Sequence, residues 1–347
     1  MVSGSGAPDR GGRVTSELNI RWGTDLITFY DAEYWGLRKG LPHPEWVAAF
    51  NADPRSYFER MLDTVRDVGL GGVELAPEPA GFQAALAAYG SAQGFKTALE
   101  ARGLALSSSY APGRQLIGAA LEDPRQEAVA DAYIEQHAQF LVALGADIIT
   151  MGNIARSRFG NDSPDDTATA DDFTAPVSRE VHERFAEQVN RLGAVAGRYG
   201  VRIAIHTDAY SVCSRAEDIT TVLALTDPGT IQLCPDAGHI ALDGGNPVDV
   251  LSAHIDRIPT MHWKDCIAPL SGHVLRGNQK ERHAVMLTYF RILGSGSVDW
   301  HAWMRVLREH DWSGWATEEI DNSPDPAGEL RTGLEYYRSQ LAHFPGN

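Results

Sequence analysis

The sequence predicts an α/β fold, a (β/α)8 TIM barrel. From residue 18 onward, short β-type runs alternate with long amphipathic helical patterns in about eight units, as in a parallel sheet built from βα repeats. Glycine often separates a helix from the next strand, at Gly69, Gly103, Gly145 and Gly200, where a left-handed C-cap is expected. Eight units in register favour a closed barrel over an open doubly wound sheet, and no GxGxxG motif follows the first strand.

Strands are placed where apolar and β-branched residues concentrate. The predicted strands are 19–22 or 26–29, 72–75, 104–110, 147–151, 201–206, 231–235, 258–262 and 315–320. Helical periodicity between them predicts the helices 54–68, 82–102, 126–144, 178–199 and 299–310. The GSGS segment at 294–297 lacks the strand-to-helix frame and the GK[ST] signature of a phosphate loop, so it is interpreted as a turn before a capped helix.

Composition narrows the function classes. The 347 residues carry 30 Lys+Arg against 46 Asp+Glu, a net charge of −16 at pH 7, which argues against a nucleic-acid partner because phosphate binding needs clustered basic residues. A hydrophobic content of 43% with 22% charged residues is typical of a globular protein with a large core. We expect a disordered Gly/Ser-rich leader over 1–17 and a single barrel domain over 18–347.

The cysteine count and the hydropathy pattern predict a location in the cell. Cys213, Cys234 and Cys266 are odd in number and lack CxxC spacing, which favours free thiols in a reducing cytosol. No run of about 18 apolar residues is present, so no membrane association is expected. The sequence therefore predicts a cytoplasmic protein.

Histidine and carboxylate residues gather at the ends of the last four predicted strands. His206, Asp236, His262 and Glu319 each close a strand, and in a barrel these ends converge on one mouth. Two imidazoles and two carboxylates suit a divalent cation: Mn²⁺ is favoured, with Co²⁺, Fe²⁺, Zn²⁺ or Mg²⁺ as alternatives. The pattern predicts a metal site at this mouth.

Two further residues near these strand ends could take part in proton transfer. His239 follows Asp236 by three residues and could orient a substrate hydroxyl, support a metal ligand or make a polar contact at a helix start. Lys264 lies two residues after His262, so strand alternation places both on the face toward the mouth. Beside a cation Lys264 would have a lowered pKa and could move a proton, whereas the alternative is a solvated lysine balanced by Asp265.

Substrate contacts are predicted at Glu74, Asn153 and Trp263. Glu74 ends the second strand, on the wall opposite the other carboxylates, and its alternative role is a salt bridge within the barrel. Asn153 and Trp263 could bind and stack on a polar ring, although aromatic residues also pack ordinary barrels. The other aromatic candidates are Trp22, Trp35 and Tyr110.

Two long connections follow strands and should lie at the same mouth, as lids, partner surfaces or plain insertions. The segment 156–176 is polar and acidic, and the segment 267–287 is locally basic, with Arg276, Lys280 and Arg282. We interpret 267–287 as a lid or a partner contact.

The motifs CPDAGHIAL, DRIPTMHWKD, GSGSVDW and GWATEEID resemble those of the xylose isomerase-like TIM barrels of sugar phosphate isomerases and epimerases, most of all the inosose dehydratase branch. The catalytic subunits of C-glycoside deglycosidases, which work with a small partner subunit, resemble this pattern too. The resemblance implies that the metal ligands are His206, Asp236, His262 and Glu319. Epimerases of this family usually carry a Glu where this chain has His206, a departure that disfavours two-base epimerisation.

The resemblance therefore implies a metal-dependent lyase acting on a keto sugar or keto-cyclitol. Glu319 would remove the proton next to the carbonyl, the cation would stabilise the enolate oxygen, and His239 or Lys264 would act as the acid during β-elimination of water or of an aglycone. An isomerase or epimerase and a non-catalytic sugar-binding barrel are the alternatives. We expect a small-molecule partner, an oligomer and, in the deglycosidase case, a small second subunit. A DNA-repair nuclease of the endonuclease IV type is disfavoured because the earlier strands end without His or Glu ligands and the net charge is −16.

Overall fold

The computed structural model describes residues 18–156, 175–270 and 279–343. Eight of its strands run parallel in one sheet, and a separate two-stranded antiparallel ribbon lies beside the barrel mouth. The barrel strands are β1 Ile20–Asp25, β2 Gly72–Leu75, β3 Ala105–Ala111, β4 Ile148–Met151, β5 Arg202–His206, β6 Ile231–Cys234, β7 Thr260–Trp263 and β10 Gly314–Glu318. The ribbon consists of β8 Asp265–Cys266 and β9 Phe290–Arg291.

The strand order β6-β5-β4-β3-β2-β1-β10-β7 leaves β6 and β7 to close the barrel. They meet through a parallel bridge between Asp236 and His262, and the backbone N–H of His262 donates to the carbonyl of Pro235 at 3.0 Å. The predicted (β/α)8 TIM barrel is therefore confirmed. The seam that closes it joins two of the residues predicted to bind a metal.

Helices surround the sheet. They are α1 His43–Ala52, α2 Pro54–Val68, α3 Phe82–Tyr89, α4 Ala92–Glu100, α5 Gly113–Glu122, α6 Glu127–Leu144, α7 Arg179–Gly197, α8 Ala216–Leu225, α9 Ala237–Leu242, α10 Pro247–His254, α11 Gln279–Leu287, α12 Trp300–Glu309 and α13 Pro326–Tyr336. In α2, for example, Asp53 accepts a hydrogen bond from the Ser56 N–H and Pro54 occupies the first turn. Gly69 ends the helix with a φ of 91°, and the other three predicted glycine caps also have positive φ.

Several predicted elements differ from the structure by one or two residues at an end, and two differ by more. The first strand is neither 19–22 nor 26–29 but Ile20–Asp25, because the Asp25 side chain caps a 3-10 turn over Leu26–Phe29 by accepting from the Ile27 N–H. The helix predicted over 82–102 is two helices, since Gly90 takes a φ of 74° after α3 and Ser91 caps the start of α4.

The aromatic layer between β1, β7 and the C-terminal helices corrects the prediction for Trp263. The Trp263 side chain is fully buried, stacks on Trp300 of α12 at 4.9 Å between ring centroids and contacts Trp22 edge-on at the same distance. Alternation along β7 turns this side chain outward, away from the side that His262 faces. Trp263 therefore belongs to the core and not to a substrate site.

A smaller apolar cluster covers one side of the barrel mouth. Its buried members include Tyr210, Leu242 and Leu270, and Met286 and Phe290 pack against it. This cluster anchors α11 and the ribbon over the carboxyl ends of the strands. Within the predicted loop 267–287, residues 271–278 lie outside the described part, as does most of the segment 156–176 and the predicted leader 1–17.

The three cysteines, Cys213, Cys234 and Cys266, are free, as predicted, and all three are buried. Among the helices of the described ranges, none has the length and apolar character needed to cross a bilayer.

Candidate metal centre and catalytic cavity

Four side chains from four strand ends converge at the carboxyl end of the barrel. His206, Asp236, His262 and Glu319 each offer a ligand atom, and these atoms lie within 4.8 Å of one another. All four residues are buried, from 0% exposure for Asp236 to 6% for Glu319. The residues predicted as metal ligands thus share one location, although they are up to 113 positions apart in the sequence.

The two carboxylate oxygens of Asp236 have different roles: one caps a helix and the other faces the cluster. Oδ1 accepts a hydrogen bond from the His239 N–H at 2.7 Å and so caps the first turn of α9. Oδ2 is buried and has no hydrogen-bond partner among the described residues. It lies 3.6 Å from Nε2 of His206, which also lacks a hydrogen-bond partner.

The spacing of these ligand atoms fits a small divalent cation. In a tetrahedral site with bonds of about 2.0–2.1 Å, ligand atoms are about 3.4 Å apart. His206 Nε2 lies 3.6 Å from Asp236 and 3.9 Å from Glu319 Oε2, and His262 Nδ1 lies 4.0 Å from Asp236. His262 Nδ1 and Glu319 Oε2 are closer, at 2.5 Å, as expected for a direct hydrogen bond. Two carboxylates also balance a charge of +2.

Each histidine of the cluster has a carboxylate behind its other ring nitrogen. Nδ1 of His206 lies 3.0 Å from Asp208, and Nε2 of His262 lies 3.2 Å from Glu74. Burial acts to raise the pKa of Asp208, but the adjacent His206 outweighs it and holds that pKa at about 2. The two rings therefore direct Nε2 of His206 and Nδ1 of His262 toward the shared ligand position.

Lys264 supplies a buried positive charge beside the cluster. Its Nζ donates to Glu319 Oε1 and to Asp321, both at 2.7 Å, and lies 4.3 Å from the centre of the Phe290 ring. Burial acts to lower the pKa of Lys264, but the carboxylates of Asp321 and Glu319 outweigh it and raise the pKa well above its ordinary value. The alternative of a solvated lysine balanced by Asp265 is wrong, because Lys264 is 1% exposed and its partners are Glu319 and Asp321.

His239 stands between the cavity and Lys264. Its Nδ1 accepts a hydrogen bond from the Ala209 N–H at 3.0 Å, and its Nε2 lies 3.2 Å from Lys264 Nζ. Burial and the charge of Lys264 lower the pKa of His239 to about 4. The ring is therefore neutral at pH 7, and because Nδ1 accepts, its proton is on Nε2.

A cavity of about 340 Å³ opens in front of the cluster. Of the residues predicted for the site, those that line it are His206, His239, His262, Glu319 and Asn153. Asn153 donates from Nδ2 to the carbonyl of His206 at 2.7 Å, and its Oδ1 has no hydrogen-bond partner in the described structure. Tyr110 also lines the cavity, whereas Trp35 packs against Trp46 and Tyr57 away from it.

The cavity also contains acidic and basic residues that the sequence reasoning missed. These are Asp25, Asp208, Asp321, Arg114 and His283, and Arg282 was predicted only as part of a lid or partner contact. Asp25 ends β1, and it was overlooked because the first strand was placed on either side of it. Burial, followed by the charges of Glu74 and Glu319, raises the pKa of Asp25 well above its ordinary value.

Glu74 is not in contact with the cavity, which corrects its predicted role in substrate binding. The residue is 0% exposed, and Oε2 accepts hydrogen bonds from Ser108 and Thr150 and faces His262. Three residues on barrel strands therefore surround Oε2 of Glu74, and one of them, His262, also belongs to the ligand cluster.

Comparison with known proteins assigns the family. The family profile described as "Xylose isomerase-like TIM barrel" matches residues 62–340, most of the chain. The chain belongs to this family. Membership in the xylose isomerase-like TIM barrels agrees with the barrel and with the resemblance found in the motifs.

Curated relatives within this family include inosose dehydratases. The enzyme of Bacillus licheniformis is 31% identical over 169 residues, which cover 48% of this chain and 56% of that enzyme. The enzyme of Bacillus velezensis is 28% identical over 220 residues, or 62% of this chain and 71% of that enzyme. The match to the first of these relatives thus spans little more than half of its length.

A solved structure shares the fold at low sequence identity. The IOLI protein, crystallised "with a binding zinc atom", superposes with a TM-score of 0.64 and 11% identity, covering 94% of this chain and 100% of that chain. At this identity the likeness shows the fold alone.

Proposed function

We propose that this protein is a divalent-metal-dependent lyase that dehydrates a keto-cyclitol of the inosose type. The observation that carries the proposal is the buried cluster of His206, Asp236, His262 and Glu319. One imidazole nitrogen and one carboxylate oxygen face each other there and have no hydrogen-bond partner within the described ranges. The relatives named inosose dehydratases support the substrate class. The zinc atom named for the IOLI structure supports a divalent cation without favouring the predicted Mn²⁺ over zinc.

The reaction removes a hydrogen from the carbon next to the carbonyl and a hydroxyl from the following carbon. The C–H and C–O bonds break, a C=C bond forms, and the products are an unsaturated ketone and water. The proton is a weak acid until the charge on the carbonyl oxygen is stabilised. A divalent cation held by the cluster supplies that stabilisation as a Lewis acid.

The cavity can hold and orient a polar ring. Its volume of about 340 Å³ lies within the range of about 300–1,000 Å³ typical of small-molecule sites. Asn153, Tyr110 and Asp25 place polar side chains on different parts of the wall. Several hydroxyls of a cyclitol can thus be fixed at once, which aligns the reacting carbon.

Glu319 is the base in this proposal. It lines the cavity, and although burial acts to raise its pKa, Lys264 and His262 outweigh burial and lower the pKa well below its ordinary value. The carboxylate is therefore ionised at pH 7 and can accept a proton. The hydrogen bond from Lys264 to Oε1 keeps the carboxylate oriented.

His239 is the acid that reaches the leaving hydroxyl, and Lys264 is the cation behind it. A neutral imidazole can accept at only one nitrogen, and Nδ1 of His239 already accepts from Ala209. His239 Nε2 therefore carries a proton, and Lys264 Nζ, 3.2 Å away, carries protons as well. Since only one proton can lie between the two nitrogens, the other proton is not used in a hydrogen bond between them. In the proposed step the Nε2–H of His239 passes to the departing hydroxyl, Lys264 returns a proton to Nε2, and the pair regains that proton from water after the product leaves.

Elimination is favoured over epimerisation because the chain has a histidine at position 206. Epimerisation through two opposed bases needs a second carboxylate on the other side of the reacting carbon, and His206 instead directs Nε2 toward the ligand position. The acid and base that remain, His239 and Glu319, lie on either side of Lys264. Such an arrangement suits removal of a proton and a hydroxyl from neighbouring carbons.

The test is an assay with 2-keto-myo-inositol as substrate and Mn²⁺ or Zn²⁺ added to the purified protein. We expect mass spectrometry to show loss of one water in the wild type and a reduction of kcat by about 10²–10⁴-fold in Glu319→Gln. Glu309→Gln, an exposed substitution on α12, serves as the matched control and should leave the rate unchanged.

Two results would contradict this proposal. Incorporation of solvent deuterium into recovered substrate without loss of water would indicate an epimerase. Cleavage of a 3-keto C-glycoside, with no reaction of the keto-inositol, would indicate the deglycosidase alternative. A small second subunit, predicted for that alternative, would then be sought by co-purification.

A further inference from the structure

Glu74 occupies a position that neither the cavity nor the cluster explains. It is fully buried on β2, which rules out contact with a substrate in the cavity. A buried carboxylate is costly unless it is hydrogen-bonded, so its neighbours indicate its role. Those neighbours are hydroxyl groups on β3 and β4 and one histidine of the cluster.

Two hydroxyl donors and one histidine nitrogen surround one oxygen of Glu74. Ser108 and Thr150 donate their hydroxyl protons to Oε2, the latter at 3.1 Å, and His262 Nε2 lies 3.2 Å from the same oxygen. Oε2 is thereby fixed from the two strands beyond β2. The position of the carboxylate does not depend on His262, so the carboxylate can determine the orientation of the ring.

His262 has two ring nitrogens in two different environments. Nε2 faces Glu74, whereas Nδ1 lies 2.5 Å from Glu319 and 4.0 Å from Asp236. Without a cation, Nδ1 holds the proton that it donates to Glu319. A cation that binds Nδ1 displaces this proton, and the neutral imidazole then donates from Nε2 and has its lone pair on Nδ1. Because Glu74 can only accept at Nε2, it selects the tautomer whose lone pair points into the cluster.

We propose that Glu74 is a positioning residue for a divalent cation, acting through His262: the buried carboxylate keeps the proton on Nε2 and directs Nδ1 at the cation. The inference rests on the proposed metal centre. A carboxylate that accepts from a metal-binding histidine fixes its ring and makes the coordinating nitrogen more basic.

The same arrangement recurs at the neighbouring histidine. Asp208 lies behind Nδ1 of His206 as Glu74 lies behind Nε2 of His262, so the two rings are held through opposite nitrogens. Asp208 lines the cavity and its side chain is 32% exposed, whereas Glu74 is enclosed. A substitution at Glu74 therefore tests positioning without removing a group that a substrate could touch.

The test measures the affinity of the purified protein for Zn²⁺ alone, by competition with a chelator. We expect Glu74→Ala to weaken Zn²⁺ binding by about 10–100-fold. Glu74→Gln keeps an acceptor for Nε2 but loses the negative charge, so its affinity should lie between those of the alanine variant and the wild type. This partial rescue is the result that a purely structural role would not produce.

Glu318→Ala is the matched control. Glu318 is a second fully buried glutamate on a barrel strand, but a Cβ placed on Gly333 of α13 would overlap its carboxylate, so it faces a helix and not the cluster. The control loses the same atoms and should keep the wild-type Zn²⁺ affinity. An equal loss of affinity in Glu318→Ala and Glu74→Ala would overturn the proposal.

A spectroscopic readout separates orientation from stability. In the Zn²⁺-loaded wild type labelled with ¹⁵N-histidine, the Nε2–H of His262 should give a slowly exchanging proton signal, because it is buried and hydrogen-bonded to Glu74. The signal should be lost in Glu74→Ala and kept in Glu318→Ala. A wild type that fails to bind Zn²⁺ would contradict the proposed function, whereas Zn²⁺ binding unaffected by Glu74→Ala would contradict this inference alone.

Discussion

Three consecutive residues at the end of β7 show how strand alternation separates residues that face the barrel mouth from residues that pack in the core. His262 and Lys264 face the mouth, where one joins the ligand cluster and the other donates to Glu319. Trp263 faces the helices and stacks on Trp300. The period of two that predicted a shared face for His262 and Lys264 also places Trp263 on the opposite face, so its predicted substrate role conflicted with the same rule.

A histidine at position 206 also sets the charge of the ligand cluster. His206 and His262 are neutral when they bind a cation, so Asp236 and Glu319 contribute the only two negative charges among the four ligands. A divalent cation is then fully neutralised, whereas a glutamate at position 206 would leave an excess negative charge.

His137, which lies away from the cluster, allows a test of how a buried histidine makes the stability depend on pH. The ring is fully buried on α6, where Nε2 contacts Ser109 Oγ at 2.7 Å and the ring stacks on Phe82 at 4.4 Å. Burial lowers the pKa of His137 to about 3, against about 6.5 in the unfolded chain. The folded state resists protonation, so this contribution to stability is present above pH 6.5 and is lost as the pH falls toward 3.

We therefore expect the free energy of unfolding to fall by about 2 kcal/mol between pH 7 and pH 5 because of His137 alone. We expect His137→Gln to have a lower free energy of unfolding at pH 7 and to lack this decrease between pH 7 and pH 5. Urea unfolding at both pH values measures the difference, and His310→Gln, at an exposed position, should keep the wild-type pH dependence. An unchanged slope in His137→Gln would show that the buried ring does not control acid sensitivity.

At the scale of elements, the Gly-rich turn before α12 binds a carboxylate of its own chain. The side chain of Asp265 accepts five N–H hydrogen bonds at 2.9–3.2 Å. The donors are the backbone N–H groups of Cys266, Gly294, Gly296 and Val298 and the indole N–H of Trp300. A Cβ on Gly296 would overlap Asp265, which explains glycine there. The sequence interpretation of 294–297 as a turn is correct, but it did not include this buried anchor.

Asp265→Asn should lower the free energy of unfolding by about 2–4 kcal/mol, because an amide offers one acceptor oxygen and places its NH2 group against other donors. The matched control is Asp299→Asn in the same segment. Asp299 caps α12 by accepting from the Ala302 N–H, and asparagine is an equally good N-cap, so its effect should stay below about 0.5 kcal/mol. Equal destabilisation by the two variants in urea unfolding would contradict this account of the turn.

The sequence predicts most elements because local patterns determine them. The strand Gly72–Leu75 and the helix Pro54–Val68 are found as predicted, since a cap or a glycine marks their ends. The errors occur where a short-range contact competes with the pattern: Asp25 ends β1 by capping the next turn, and Gly90 interrupts a continuous apolar period. Overlooking the end of β1 also removed Asp25 from the predicted site.

At the scale of the whole molecule, the barrel fold brings together candidate ligand residues that are far apart in the sequence. Parallel strands deliver their carboxyl ends to one mouth, so four strand-end residues could be predicted as one cluster before any contact was known. The carboxylates that lie behind the two histidines, Asp208 and Glu74, could not be predicted in this way. Whether Glu74 faces the cavity or lies behind His262 depends on the stagger between strands, which one sequence does not reveal.

Two residues of the ligand cluster also close the barrel. Asp236 and His262 form the bridge between β6 and β7, and both lie within the cluster. A cation bound to both would also link the two strands at the seam. Binding to the folded state alone raises the stability of that state, so an added divalent cation should raise the unfolding temperature of the wild type.

The most direct test of the central claim is the metal content of the purified protein, measured by elemental analysis before and after reconstitution, together with His206→Ala and Glu319→Ala. The account predicts one equivalent of a divalent transition metal in the wild type and its loss in both variants, each of which removes one ligand of the cluster. Wild-type protein that holds no metal even after reconstitution, or variants that retain it in full, would contradict the metal centre.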